Sequence, residues 1–140
     1  MKITVLCPHF APDTAPTGQV ITQLVEELSQ KGHRIHVVTS LPWYRTHSVE
    51  EDWKKRLFSK EKTDWGRITR IHPCASRSRT NLIARSAGFV AFSLMAALFS
   101  IFTRKADLIL AMSPPLTLAP AGWIAAKRHP VSYTHLRAHE

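Results

Sequence analysis

Short apolar runs alternate with longer segments of helical periodicity along the first forty residues. The run ITVLC (3–7) is continuous enough for a buried strand, and RIHVVTS (34–40) is the next such run. Between them, apolar residues from Val20 to Leu28 recur at the spacing of one helix face, and Gly32 follows as the C-cap. Two strands joined by one helix predict a βαβ unit with parallel strands.

The same alternation resumes after a polar interruption. Residues 41–66 mix aromatic and charged side chains, and they predict one short helix near 49–58. Further strands are predicted at 67–75 and 106–113, and a helix then restarts behind prolines placed near its first turn. The whole pattern predicts an α/β protein with a Rossmann-like parallel sheet flanked by helices.

The segment 84–102 separates the third and fourth predicted strands and is the most apolar part of the chain. Its run Ser86–Phe102 holds 17 uncharged residues, the short edge of what spans a bilayer. A complete span would put the two flanking strands on opposite sides of the membrane, so we expect either a helix that touches the membrane interface or a buried crossover helix. The residues assigned to membrane contact are Phe89, Phe92, Leu98, Phe99 and Phe102.

Charge adds to the membrane argument. The formal net charge is +9, and residues 45–85 carry eleven Lys or Arg against five acidic residues. Such an excess suits an anionic membrane surface or another polyanion. The first apolar run is shorter than a signal-peptide core, and Cys7 and Cys74 lack CxxC spacing, so both are expected to be reduced core residues. These features predict a cytoplasmic protein held peripherally at the inner face of the cell membrane.

Several other chemistries lack their motifs. The first loop has Gly18 alone instead of GxGxxG, and GK[ST] does not occur, so neither a nicotinamide cofactor nor a P-loop is expected. No metal is expected, because among the eight histidines only HLRAH (135–139) approaches metal-ligand spacing, in a segment that we interpret as non-native. No recognised RNA- or DNA-binding pattern accompanies the basic residues, so nucleic acid is not an expected partner.

The loop CPHFAPDTAPTGQV (7–20) carries the candidate binding residues. It leaves the carboxyl end of the first strand, where open α/β sheets bind their ligands. His9 and Asp13 are its titratable groups, and either can bind a ligand, orient a neighbour or accept a proton. Gly18 would let backbone approach a phosphate at the start of the helix, and Thr17 beside it completes the candidate donor-phosphate or acceptor loop with His9 and Asp13. The structural alternative is a simple turn with Thr17 as N-cap.

Two stretches together carry a resemblance to a known family. PHFAPDTAPTGQVITQLVEELSQKGHRIHVVTSLPWYRTH, followed by LILAMSPPLTLAPAGW, resembles the N-terminal half of bacterial family 4 glycosyltransferases of the GT-B fold. The branch concerned is similar to the colanic acid and surface-polysaccharide transferases. The resemblance implies a retaining transfer of sugar from a nucleotide-sugar donor to a lipid-linked or polysaccharide acceptor, in a cleft between two Rossmann-like domains.

The resemblance also implies roles for particular segments. The loop containing Gly18 would approach the donor phosphates, but no catalytic residue is identified. Residues 1–130 would be an incomplete acceptor-side domain, inactive without a C-terminal domain that this chain lacks. Residues 131–140 are similar to translated adapter sequence and are interpreted as an artefactual tail. A small non-enzymatic module that binds membranes or polyanions is the alternative function. The other acceptor-side loop residues implied by the resemblance are Pro42, Trp43, Tyr44, Ser113 and Pro114.

Overall fold

One six-stranded sheet organises the computed structural model, which describes residues 1–45, 49–74, 80–102, 105–113, 117–128 and 131–137. Three helices and a single 3₁₀ turn accompany the strands in these ranges. In chain order the elements are β1 (Lys2–Leu6), α1 (Pro16–Gln30), β2 (Arg34–Ser40), a 3₁₀ turn (Glu51–Trp53), β3 (Phe58–Thr63), β4 (Gly66–Ile71), α2 (Leu82–Ile101), β5 (Leu108–Ser113), α3 (Leu118–Arg128) and β6 (Ser132–Arg137).

The sheet has the strand order β3-β4-β2-β1-β5-β6. Every neighbouring pair is parallel except the β3–β4 hairpin, which is antiparallel. The prediction of an α/β, Rossmann-like sheet flanked by helices is therefore confirmed. Because five strands run the same way, the loops that follow them come together at one carboxyl edge.

The largest departure from the predicted elements lies between β2 and β4. The short helix expected near 49–58 is a single 3₁₀ turn, and it is followed by β3, which the sequence pattern did not predict. Apolar and polar residues do not alternate clearly along β3, because most of its side chains are charged or exposed. It forms because its backbone pairs with the free edge of β4 from Phe58↔Ile71 to Thr63↔Gly66. The strand expected at 67–75 also ends earlier, at Ile71.

Two apolar clusters hold the layers together, one on each face of the sheet. Helix α1 places Ile21 and Val25 against strand residues such as Val5 and Val37. On the opposite face, Phe92 of α2 packs with α3 and with the alternate residues of the same strands. The period of two along each strand thus assigns odd-numbered residues of β1 to the α1 face and even-numbered ones to the α2 face.

The ends of α1 test two sequence-based assignments. Gly32 follows the helix with φ +82°, and its N–H donates to the Ser29 carbonyl at 2.9 Å, which confirms that the helix stops here. The C-cap itself is Lys31, one residue before the predicted Gly32. Thr17 as N-cap is wrong. The N-cap is Ala15, and Pro16 occupies the first turn, where its missing N–H costs nothing.

Helix α2 is long and apolar enough to cross a membrane, with a mean hydropathy of 1.8, yet only 28% of that window is buried. It begins after β4 and ends before β5, two strands of the same sheet. A complete span would separate them, so the sheet requires a helix that stays on one side. The apolar residues that α2 and its C-cap leave exposed are Leu82, Ile83, Val90, Leu94, Leu98 and Phe102.

The burial of α2 divides the five residues assigned to membrane contact. Leu98 and Phe102 are exposed, at 54% and 83%. Phe89 is half-buried, and Phe99 packs against the core with its ring 6.1 Å from that of Phe58. Phe92 does not face outward: it is 3% exposed, because its helical position points at the sheet. The outward stripe instead runs through residues four apart.

His36 is a buried polar residue on the α2 face of β2. Its Nε2 lies 2.8 Å from the Thr69 hydroxyl. Burial lowers the pKa of His36 from 6.5 to about 3, and the charges of Arg67 and Lys60 add to the effect. The imidazole is therefore neutral in the folded protein at every pH at which the protein is normally handled.

The lowered pKa predicts a loss of stability in mild acid. Below pH 6.5 the unfolded chain takes up a proton at this residue and the folded chain does not until about pH 3. The free energy of unfolding should thus fall as pH decreases through this window, by at most about 1.4 kcal/mol per pH unit from His36. Urea unfolding at pH 7, 6 and 5 should show a shallower pH dependence for His36→Gln. Equal slopes for the two proteins would contradict the assignment.

Candidate functional site

The loops that follow β1 and β2 meet at the carboxyl edge of the sheet. The first loop contributes His9 and Asp13, and the second contributes Trp43 and Tyr44. The structure therefore brings together residues that the sequence analysis assigned separately to a ligand loop and to an acceptor-side loop. This cluster of four side chains is the candidate site.

Asp13 is the centre of the cluster. Its carboxylate is buried, with Oδ2 at 2.7 Å from His9 Nδ1, and Oδ1 accepts the Tyr44 backbone N–H at 3.3 Å. Both oxygens are thus used inside the protein. Of the two titratable groups, Asp13 is the one placed to orient its neighbours, and it ties the loop after β1 to the loop after β2.

His9 is held from two directions. Its ring lies 5.5 Å from the Trp43 ring and 5.4 Å from the Tyr44 ring, the latter edge-on. The Asp13 contact engages Nδ1, and no residue within the described ranges hydrogen-bonds to Nε2. An imidazole fixed in this way, beside two aromatic rings, can offer Nε2 to a polar group of a ligand such as a hydroxyl.

Gly18 lies in the first turn of α1 and is buried against the same loop. A Cβ at this position would meet His9 Cβ at 3.0 Å and the His9 carbonyl carbon at 3.3 Å. The glycine thus lets the helix approach the loop closely, while its contact with a donor phosphate stays a prediction. Thr17 is half-buried beside it, and Thr22 bridges the junction by accepting from Ala11 N–H and donating to the Gly18 carbonyl.

The remaining acceptor-side residues are placed unevenly. Pro42 is buried, and its carbonyl accepts the Glu50 N–H at 3.0 Å, which folds the second loop back on itself. Ser113 is the last residue of β5, at the same carboxyl edge. Pro114 lies outside the described residues.

Arg70 supports the site and was missed by the sequence analysis. It is 2% exposed, near the end of β4 on the α1 face. Its Nη2 donates to the Ala11 carbonyl of the first loop, and its Nε donates to Glu61 of β3 at 2.8 Å. Its guanidinium carbon also lies 5.5 Å from the Trp53 ring centre. The alternation of side chains along a strand could have identified Arg70 from the sequence, because it places Arg70 on the same inward face of β4 as Ile68.

Cys7 is the first residue of the first loop, and its thiol is fully buried. Burial raises the pKa of its thiol to about 12, although Thr39 and Arg70 oppose the shift, so the group stays protonated. The expectation of a reduced core residue is confirmed for Cys7. Cys74 is free but only half-buried, in the turn after β4 with φ 52°, so its placement in the core is wrong. Across the described ranges, no three His, Cys, Asp or Glu side chains gather as metal ligands.

Two solved structures resemble the fold over most of this chain. The C-terminal domain of a hydrogenase from Pyrococcus furiosus matches with a TM-score of 0.58 and 10% identity, covering 96% of this chain and 89% of that domain. Sucrose-phosphate synthase from Thermosynechococcus elongatus matches with a TM-score of 0.55 and 18% identity, covering 96% of this chain and 32% of the synthase. At these identities the likeness concerns the fold.

The sequence comparison is more specific. No family model matches the chain. WcaI of Escherichia coli (strain K12), a protein named for glycosyl transfer in colanic acid biosynthesis, is 28% identical over 130 residues. The match covers 91% of this chain and 31% of WcaI, so the chain spans about a third of that relative's length. The WcaI match and the GT-B-like α/β fold together support a family relationship between this chain and the glycosyltransferases.

Proposed function

We propose that this chain is the N-terminal, acceptor-side domain of a retaining glycosyltransferase of surface-polysaccharide biosynthesis. The donor would be a nucleotide-sugar and the acceptor a lipid-linked or polysaccharide glycan. The observation that carries the proposal is the Asp13-centred link between the first and second loops, at the ligand-binding edge of a chain related to glycosyltransferases. The second half of the cleft would come from a C-terminal domain of the same parent protein.

Different residues in this half of the cleft are suited to different parts of the two substrates. Trp43 and Tyr44 present aromatic rings, on which the apolar face of a sugar can pack. His9 offers Nε2 to an acceptor hydroxyl, and Asp13 holds the imidazole in that orientation. The first turn of α1 points its free N–H groups toward the same edge, which suits the donor phosphates.

The proposal includes peripheral attachment to the inner face of the cell membrane. The outward stripe of α2 is apolar along the helix, and Leu94, Leu98 and Phe102 lie four residues apart on it. The basic segment 45–85 adds an electrostatic attraction to anionic lipids. Such attachment would keep the candidate site close to a lipid-linked acceptor.

The 140-residue chain by itself should show no transferase activity. A cleft enzyme without one wall lacks the preorganised groups that position the donor and stabilise developing charge. The measurement is sugar transfer from a panel of nucleotide-sugars to lipid-linked acceptors, with a complete glycosyltransferase as the assay control. Turnover by the chain alone would contradict the two-domain proposal.

In the enzyme that contains this chain, His9→Asn and Asp13→Asn should each lower kcat/KM by about tenfold, the value of one hydrogen bond to the acceptor. His9→Asn removes the imidazole, and Asp13→Asn frees it to rotate. Thr14→Ala is the control in the same loop and should stay within about twofold, because Thr14 is exposed and lies outside the cluster. Activity retained by both site variants, with unchanged melting temperatures, would exclude the cluster from acceptor binding.

Membrane attachment predicts a difference between two matched substitutions. Leu98→Asp and Val20→Asp each replace an exposed apolar residue, 54% and 58% exposed, on helices that cover opposite faces of the sheet. Leu98→Asp should weaken binding to anionic vesicles by about tenfold or more, since one leucine contributes about 1.5–3 kcal/mol on burial. Val20→Asp should leave binding almost unchanged. Sedimentation with vesicles at low salt measures both, and equal effects would rule out α2 as the contact.

A further inference from the structure

A basic pocket opens at the amino edge of the sheet, opposite the candidate site. It has a volume of about 530 Å³, within the range of small-molecule sites. The seven residues of β2 separate the two edges by about 20 Å. The pocket is lined by residues from the starts of three parallel strands, from the β3–β4 hairpin and from the segment before β5. Its charged and titratable lining residues are Lys2, Arg34, His36, Lys62, Arg67 and Lys105.

The register of the sheet places like charges directly opposite one another in this pocket. Lys2 pairs with Arg34 across β1 and β2, and Lys62 pairs with Arg67 across β3 and β4. Directly opposed like charges destabilise a sheet. None of these four cations forms an ion pair with any acidic side chain in the described part of the chain. Asp107 brings one carboxylate to this group, where it accepts the Lys2 backbone N–H at 2.7 Å. Most of the positive charge therefore has no acidic partner within the described residues.

Two buried polar atoms of lining residues also lack partners. His36 Nδ1 and Thr63 Oγ1 are inaccessible to solvent and make no hydrogen bond within the described residues. His36 is 9% exposed, and its other ring nitrogen is occupied by Thr69. Buried polar groups normally have a hydrogen-bond partner. The missing partners of these two atoms are therefore an observation independent of the charges.

We propose that this pocket binds a phosphate-bearing anion. A phosphate carries about two negative charges and a pyrophosphate carries more, so either reduces the repulsion between the opposed cations. Phosphate oxygens also accept the forked hydrogen bonds that Arg34 and Arg67 can donate. A pyrophosphate or a phosphorylated head group fits the volume better than a single small ion. The site lies apart from the proposed sugar-transfer cleft and does not depend on that proposal.

The phosphate has two sources, a soluble compound or a lipid head group. Phe102, at the end of the outward stripe of α2, precedes the lining residue Lys105 by three positions and is 83% exposed. The apolar stripe thus ends close in sequence to the pocket lining. This neighbourhood suits a lipid, and the volume of the pocket also accommodates a soluble phosphate.

The test is calorimetric titration of the 140-residue chain with pyrophosphate at low salt. The double variant Arg34→Gln/Arg67→Gln should weaken binding by about tenfold or more, because it removes two charge-assisted contacts. The matched control Lys55→Gln/Arg85→Gln removes the same charge from exposed residues outside the pocket lining and should change affinity by about twofold at most. Equal losses in both variants would mean diffuse attraction and would overturn the proposal.

A second measurement, thermal melting, shows whether the double variant is folded. Without anion, the double variant should melt no lower than the wild type, since it relieves repulsion between opposed cations. Pyrophosphate should raise the melting temperature of the wild type, and at the same concentration it should raise that of the double variant clearly less.

The source of the phosphate can be identified with vesicles. Binding to vesicles that contain phosphatidic acid is compared with binding to vesicles of phosphatidylcholine alone. If phosphatidic acid vesicles bind and this binding depends on Arg34 and Arg67, the site binds a lipid head group. If the chain binds pyrophosphate but shows no preference for phosphatidic acid vesicles, the site binds a soluble phosphate. Absence of both pyrophosphate binding and a preference for phosphatidic acid would overturn the proposal.

Discussion

The buried guanidinium of Arg70 is the contact on which the arrangement at the carboxyl edge depends. It binds the first loop through Ala11 and β3 through Glu61, and it lies against Trp53 between β2 and β3. Solvent screens part of the ion pair, because the Glu61 side chain is 35% exposed, while the guanidinium is 2% exposed and depends on its protein partners. Without Arg70 the loop that carries His9 and Asp13 would lose its contact with β4 and keep its contact with Thr22 of α1.

The sheet separates two different surfaces. At the carboxyl edge, charges are paired, since Asp13 contacts His9 and Glu61 contacts Arg70. The Trp43 ring packs beside His9. At the amino edge, cations face cations across adjacent strands. Helix α2 connects the two, since it starts near the carboxyl edge and ends near the amino edge. The carboxyl edge thus combines paired charges with aromatic rings, whereas the amino edge has an excess of positive charge that attracts anions.

Much of the candidate site could be predicted, because strand ends are recognisable from sequence. Once ITVLC and RIHVVTS are parallel neighbours, the residues that follow them must meet, and His9, Asp13, Trp43 and Tyr44 do so. The mutual roles could not be predicted. That Asp13 uses both oxygens internally depends on the fold of the second loop, and that Gly18 accommodates His9 depends on the angle at which α1 leaves the loop.

The sequence alone determined the class of fold, since apolar runs of strand length alternating with amphipathic helices bury their surface only as an α/β layer structure. It also determined the excess of positive charge and the apolar character of α2. Only the tertiary structure decided which side of α2 faces the sheet, placing Phe92 inside and Leu98 outside. It also decided that β3 exists, and that Lys62 and Arg67 stand opposite each other as Lys2 and Arg34 do. The reason is that burial and register are properties of pairs of segments, and a single segment read alone does not contain its partner.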